Sequence, residues 1–260
     1  TGSSFLSPFA LGVIADPEVT RATGRLIGEM LRTAGVDWNF APVADVNVDP
    51  RNPVIGMRSF GADADSAAMH VGAFIAGLQS TGVIATAKHF PGHGDTHIDS
   101  HASLPTLSAS VKLLRARELL PFKSAIGAGV GSVMTGHLLV AAIDTDAPAS
   151  LSRAITTDLL RGDLGFEGVV VTDALDMGAI LETSGQFPMH AAVASLLAGA
   201  DIICLGAVDQ ERATKSAAKA IFEAVANGTL LPAVLITAAK RRAQLMNLRR
   251  EPNTHVNVQG

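Results

Sequence analysis

Strand-like and helix-like segments alternate along almost the whole 260-residue chain, and that alternation limits the fold more than any other feature. Asp16-Pro17 reads as an N-cap followed by proline in the first helical turn. Val19, Thr23, Leu26, Ile27 and Met30 then recur at helical spacing, and Gly35 has the residue type of a helix C-cap. A strand is predicted over 37–43, then a helix over 65–79 and a strand over 82–87. The succession continues with helix 109–126, strand 131–136, helix 156–161, strand 168–172, helix 189–197 and strand 201–205. Helices over 210–226 and 233–249 close the pattern. Val169-Val170-Val171 is the clearest strand, because adjacent β-branched residues suit a parallel sheet covered on both faces.

Strand, helix, strand with short connections predicts parallel strands and right-handed crossovers. A closed barrel and an open sheet both satisfy that rule. No Gly-x-Gly-x-x-Gly follows the first strand, which argues against a dinucleotide-binding sheet. Polar residues instead gather just after strands: Asp45 and Asn47, Lys88 and His89, His137, and Asp173. In a β/α barrel these positions form the C-terminal rim, where active sites sit, and such a barrel takes roughly 250 residues. Five strands are readable rather than eight. The predicted fold is therefore an α/β, TIM-type (β/α)8 barrel, incomplete at its N-terminus, over residues 1–250, with 251–260 as a tail or linker.

Composition excludes several alternatives. Hydrophobic residues make up 48% and charged residues 17%, which disfavours disorder. The net charge of -4 does not suggest nucleic acid as a partner, which usually wants a basic face. No run of about 18 apolar residues, the length of a membrane-crossing helix, is present. The one cysteine, Cys204, permits no intrachain disulfide and is expected to be a buried strand residue. Thr1-Gly2-Ser3-Ser4 has neither an initiator methionine nor a signal sequence, so a processed or trimmed piece is expected, and cytoplasmic and secreted locations both fit. The single Trp38 is expected in the core, and the absence of tyrosine leaves little for stacking against a ligand.

The segment from Lys88 to His101 is the richest in chemistry: Lys-His-Phe-Pro-Gly-His-Gly-Asp-Thr-His-Ile-Asp-Ser-His. Its histidines at 89, 93, 97 and 101 would share one face of a helix and suggest zinc, but Pro91, Gly92 and Gly94 break a helix there. No metal and no organic cofactor is therefore expected. At the segment's end Asp99 stands two residues before His101, so a turn could set the carboxylate on one imidazole nitrogen and fix the tautomer. Asp173 at a strand end has an ordinary reading as a helix N-cap. Asp176 reads as a first-turn helix acid, His137 as a residue near the pocket, His93 and Asp95 as loop-shaping residues, and His97 as solvent-exposed.

As a whole the segment resembles the signature of β-N-acetylglucosaminidases in glycoside hydrolase family 3. Further blocks agree in order: Asn39-Phe40-Ala41-Pro42-Val43-Ala44-Asp45-Val46, Arg58-Ser59-Phe60-Gly61, Glu118-Leu119-Leu120-Pro121-Phe122, and Gly165 through Met177 around Asp173. The resemblance implies that Asp173 is the nucleophile of a retaining glycosidase and His101 the general acid/base with Asp99 as its partner. It also implies that Arg58, Lys88 and His89 hold sugar hydroxyls. The implied activity is hydrolysis of terminal β-linked N-acetylglucosamine from peptidoglycan- or chitin-derived glycans. Phosphorolysis of the same bond and sugar binding without turnover are the competing readings. An acidic Asp-Gln-Glu-Gly-Gly segment typical of many relatives is absent, so the first part of the barrel is expected to be missing. The family's two-domain members leave an additional C-terminal domain in the parent protein open.

Overall fold

The computed structural model describes residues 5–52, 54–96, 103–183 and 188–247. Two N-terminal helices come first, α1 (Pro8–Ile14) and α2 (Pro17–Thr33). Both start the same way: Ser7 Oγ accepts the Ala10 N–H and Asp16 Oδ1 accepts the Glu18 N–H, with proline in the first turn. The second was predicted; the first was not. Beyond α2, Gly35 adopts φ +77 while the Val36 N–H returns to the Leu31 carbonyl, which ends the helix and turns the chain into the sheet.

The sheet is parallel. Its strands are β1 (Trp38–Asn39), β2 (Ile84–Phe90), β4 (Ser132–Thr135) and β6 (Val169–Thr172), in the order β1-β2-β4-β6. A bridge between Val43 and Lys88 prolongs the first pairing, and one between Val171 and Ile202 adds a fifth position beyond β6. All five predicted strands thus find their places in one parallel arrangement. A small separate pair, β3 (Thr106–Leu107) with β5 (Leu139–Val140), was not predicted. Two-residue strands carry no readable period.

Period-two alternation divides the sheet's faces. Ala85, Ala87, Val133 and Val170 are fully buried in the main core with Phe74, Ile75 and Leu78 of α3 (Ala64–Gln79) and Phe122 of α5 (Leu120–Gly127). The opposite face carries Ile84 and Val169, which pack with Trp38 and with Leu245 of α9 (Pro232–Asn247). On that same face Trp38 Nε1 donates to Thr86 Oγ1 at 2.7 Å and approaches Ser132 Oγ at 3.0 Å. Trp38 is therefore a half-buried sheet-packing residue at the N-terminal end of the strands.

Four expectations need correction. The single helix predicted over 109–126 is two, α4 (Val111–Ala116) and α5, because Pro121 lacks an N–H and takes a first-turn position of a new helix. The helix around 156–161 extends over Ala154–Asp163 and is π-wound. Cys204 is half-buried rather than buried, since its strand stands at the described edge of the sheet. Asp176 is not a helix acid; its carboxylate accepts the Ala207 and Val208 N–H groups and ties the turn after Asp173 to the chain beyond the fifth strand. Of the remaining helices, α7 (Pro188–Ala198) and α8 (Gln210–Ala226) lie near their expected places, while the short α6 (Gly178–Thr183) was not predicted. The expected tail at 251–260 lies outside the described residues.

Candidate active site

Parallel strands put all their C-terminal ends on one side, so residues far apart in sequence meet there. Lys88 and His89 end β2, His137 follows β4 and Asp173 follows β6. Asp45 follows the stretch bridged to Lys88. Arg58 ends a short 3-10 turn, Gly56–Arg58, and reaches in from outside.

Asp45 is the anchor of this group. Its side chain is shut off from solvent, and it accepts three hydrogen bonds: the His89 N–H at 3.1 Å and the His93 N–H at 2.7 Å on Oδ1, and His89 Nδ1 at 2.8 Å on Oδ2. Burial pushes its carboxyl up, but His89 and the His93 N–H outweigh that and hold it below the usual carboxylate range. With Nδ1 donating to Asp45, Nε2 is the ring nitrogen left to accept, and Arg58 Nη2, which can only donate, lies 3.3 Å from it. The residue pair thus fixes which edge of the imidazole faces Asp173, whose Oδ2 is 3.9 Å from Nε2.

Asp173 itself is held by the sheet. Its N–H donates to the Thr135 carbonyl at 3.0 Å, and its Oδ1 accepts the adjacent Ala174 N–H at 2.8 Å. The side chain keeps 23% of its exposure, enough for one oxygen to meet a ligand. Burial raises its pKa, but His89, His137, the Ala174 N–H and Lys88 together hold it below the ordinary range, so it is a carboxylate at neutral pH. Burial pushes the neighbouring Lys88 ammonium down, and Arg58 adds to that against the pull of Asp173 and Asp45. A cation, a carboxylate and an acceptor nitrogen therefore converge on one half-open space.

His137 does not line that space. It is fully buried, with Nδ1 2.8 Å from Ser150 Oγ and Nε2 2.9 Å from the Ala174 carbonyl. A carbonyl only accepts, so Nε2 carries the proton and Nδ1 accepts from the Ser150 hydroxyl. Its role is to brace the turn after Asp173. Asp99, His101 and His97 lie outside the described residues.

The stem of the loop leading to them is built by close packing. His93 is buried, its Nδ1 2.8 Å from Thr96 Oγ1, and its carbonyl accepts Asn52 Nδ2 at 2.8 Å. Arg117 bridges Asp95 and Glu118 from the other side. Both His93 and Asp95 shape the loop, as the sequence suggested. Gly94 approaches the preceding strand end so closely that a Cβ would stand 1.9 Å from the Val46 carbonyl oxygen. Gly94→Ala should therefore push the stem away from Asp45 and destabilise the protein by about 1–3 kcal/mol. Thermal unfolding reads this directly, and an unchanged midpoint would contradict the packing.

Comparison with known proteins places this arrangement. The family model described as the Glycosyl hydrolase family 3 N terminal domain matches residues 1–245, and the chain belongs to that family. A β-hexosaminidase A of Pseudoalteromonas piscicida is 39% identical over 199 residues, covering 72% of this chain and 33% of that protein. A β-hexosaminidase of Pseudomonas aeruginosa strain LESB58 is 36% identical over 219 residues, covering 82% of this chain and 63% of its own length. The chain thus spans a third of the first relative and somewhat under two thirds of the second. Among solved structures, a glycoside hydrolase family 3 β-N-acetylglucosaminidase from Paenibacillus sp. str. FPU-7 superposes with a TM-score of 0.89 at 41% identity. That match covers 93% of this chain and 45% of the other.

Proposed function

We propose that this chain is the catalytic part of a retaining β-N-acetylhexosaminidase, built as part of a (β/α)8 barrel, that removes terminal β-linked N-acetylglucosamine from peptidoglycan- or chitin-derived glycans. The observation that carries the reading is Asp173: an ionised, partly open carboxylate at a strand end, facing His89 and flanked by Lys88. In the first step one Asp173 oxygen attacks the anomeric carbon. The glycosidic C–O bond breaks, and the leaving oxygen takes a proton from His101. In the second step His101, now neutral, takes a proton from water, whose oxygen displaces Asp173 with a second inversion and so net retention. Asp99 supports the imidazolium. Lys88, Arg58 and His89 offer two cationic donors and one acceptor, a set suited to vicinal hydroxyls. None of these steps calls for a metal or an organic cofactor.

His101→Ala should lower turnover of an aryl β-N-acetylglucosaminide by about 100- to 10,000-fold, the usual worth of general acid–base catalysis. The loss should shrink for substrates whose leaving group needs no proton. Asp99→Ala should show a smaller loss of the same kind. An equal loss across all leaving groups would remove His101 from the acid role. Product analysis in phosphate buffer separates hydrolysis from phosphorolysis, since only the second yields a sugar 1-phosphate.

A further inference from the structure

Glu118 sits in the break between α4 and α5, where the catalytic scheme makes no use of it. It is fully buried. Its Oε1 is paired with Arg117, while Oε2 is buried and has no hydrogen-bond partner among the described residues. A buried carboxyl oxygen left unpaired is costly, and its retention calls for a reason. The surroundings supply one. Gly92, at φ +127, lies against this side chain: a Cβ there would be 2.9 Å from Glu118 Cβ and 3.1 Å from Oε2. Three residues further along the same loop, Asp95 shares Arg117 with Glu118. The loop stem is thus touched by Glu118 twice, directly at Gly92 and through Arg117 at Asp95.

We propose that Glu118 is a positioning residue for the loop stem that leads from β2 towards Asp99 and His101, acting through its competition with Asp95 for Arg117. The catalytic part of this inference rests on the glycosidase reading above. Three charged groups face the carboxyl: Arg117 beside it in the chain, Asp95 from the loop and Asp45 from the strand end after β1. Burial pushes Glu118 up to about 7 against the opposing pull of Arg117, and Asp95 and Asp45 add to the rise. Below that pH Glu118 is neutral, and the Arg117 charge answers Asp95 alone. Above it the two carboxylates divide the guanidinium, and the hold on Asp95 loosens. The stem is therefore fixed most firmly on the acidic side of neutrality.

The test compares wild type with Glu118→Gln, which has the same shape and stays neutral, and with Asp95→Asn, which cuts the link at its partly exposed end. The readout is kcat for an aryl β-N-acetylglucosaminide from pH 5.5 to 8.5. The ratio of Glu118→Gln to wild type should be near one at pH 6 and rise to about threefold or more at pH 8, since titrations common to both proteins cancel. Asp95→Asn should lose at least about fivefold throughout, with KM little changed. A pH-independent ratio, or an Asp95→Asn protein as active as wild type, overturns the proposal. Backbone amide shifts of Gly92 and Asp95 give a second reading that needs no turnover. A titration with midpoint near 7 in wild type and absent in Glu118→Gln supports the coupling, and the same titration in both proteins overturns it. Should wild type show no turnover at all, the glycosidase reading falls and the amide titration still decides the coupling.

Discussion

Asp173→Ala is expected to lower kcat for an aryl β-N-acetylglucosaminide by roughly a thousandfold or more, while leaving the melting temperature almost unchanged. The pairing of those two outcomes follows from what Asp173 does and does not touch. An aspartate after a strand commonly caps the next helix by accepting an N–H two or three residues on. Among the described residues Asp173 does not: its Oδ1 accepts the N–H of Ala174, the adjacent residue, and α6 begins only at Gly178. The turn after β6 is held by other groups. The Asp173 N–H reaches the Thr135 carbonyl, the Leu175 N–H reaches the Cys204 carbonyl, and His137 braces the Ala174 carbonyl. Truncating the side chain leaves all three in place.

Removing the carboxylate also relieves burial of a charge, which offsets part of what its attraction to His89 and Lys88 contributes. Stability should therefore move by less than about 1 kcal/mol, within the range of ordinary partly exposed substitutions. Turnover has no such compensation, because under the proposed mechanism the covalent bond to the sugar cannot form. Acid-quenched wild type should carry one N-acetylhexosaminyl group on the peptide containing Asp173, and Asp173→Ala should carry none. A variant that kept more than a tenth of wild-type kcat would end the nucleophile assignment.

What sequence could and could not disclose divides along physical lines. Strands were readable where β-branched or apolar residues run together, as in Val169–Thr172, and helix starts where a cap precedes proline, as at Asp16-Pro17. Ser7-Pro8 carries the same signal, but α1 is only 7 residues long and shows little periodicity. Pro121 likewise marked the division of the helix predicted over 109–126. In the site, the gathering of Lys88, His89 and Asp173 was legible because each stands at or near a strand end and parallel strands bring their ends together, whereas their roles were implied only by the family resemblance. The role of Asp45 was not, since its partners His89 and His93 stand 44 and 48 residues away. Nor was that of Glu118, which follows from burial and from the proximity of Gly92, and neither leaves a mark in the chain's own pattern.

Asp45→Asn is the second substitution with a large expected effect, and it separates geometry from charge. The two backbone N–H groups of His89 and His93 both point at Oδ1, so the amide oxygen of asparagine must stay there. Its NH2 group then replaces Oδ2 and faces His89 Nδ1, where wild type has a donor meeting an acceptor at 2.8 Å. To accept from the amide, the ring must move its proton to Nε2. That nitrogen would then present a proton to Arg58 Nη2, itself a donor, at 3.3 Å. The edge of His89 facing the pocket turns from acceptor to donor, and Arg58 Nη2 loses its acceptor while Nη1 keeps the Val54 carbonyl. The fold should survive, because the two backbone donors keep their acceptor and Nδ1 of the imidazole accepts from the new amide. A sugar placed by that edge would not keep its position, and misplacement by about 1 Å costs on the order of a hundredfold in kcat/KM. Asp45→Ala should behave differently. It leaves two backbone donors and an imidazole buried without partners, which should destabilise the protein by about 3–5 kcal/mol. Nitrogen-15 shifts of the His89 ring distinguish the tautomers: wild type should show the proton on Nδ1 and Asp45→Asn should show it on Nε2. If both proteins keep the Nδ1 proton, or if Asp45→Asn retains full kcat/KM, then Asp45 serves only to hold the backbone of the loop and the orientation of His89 is set elsewhere.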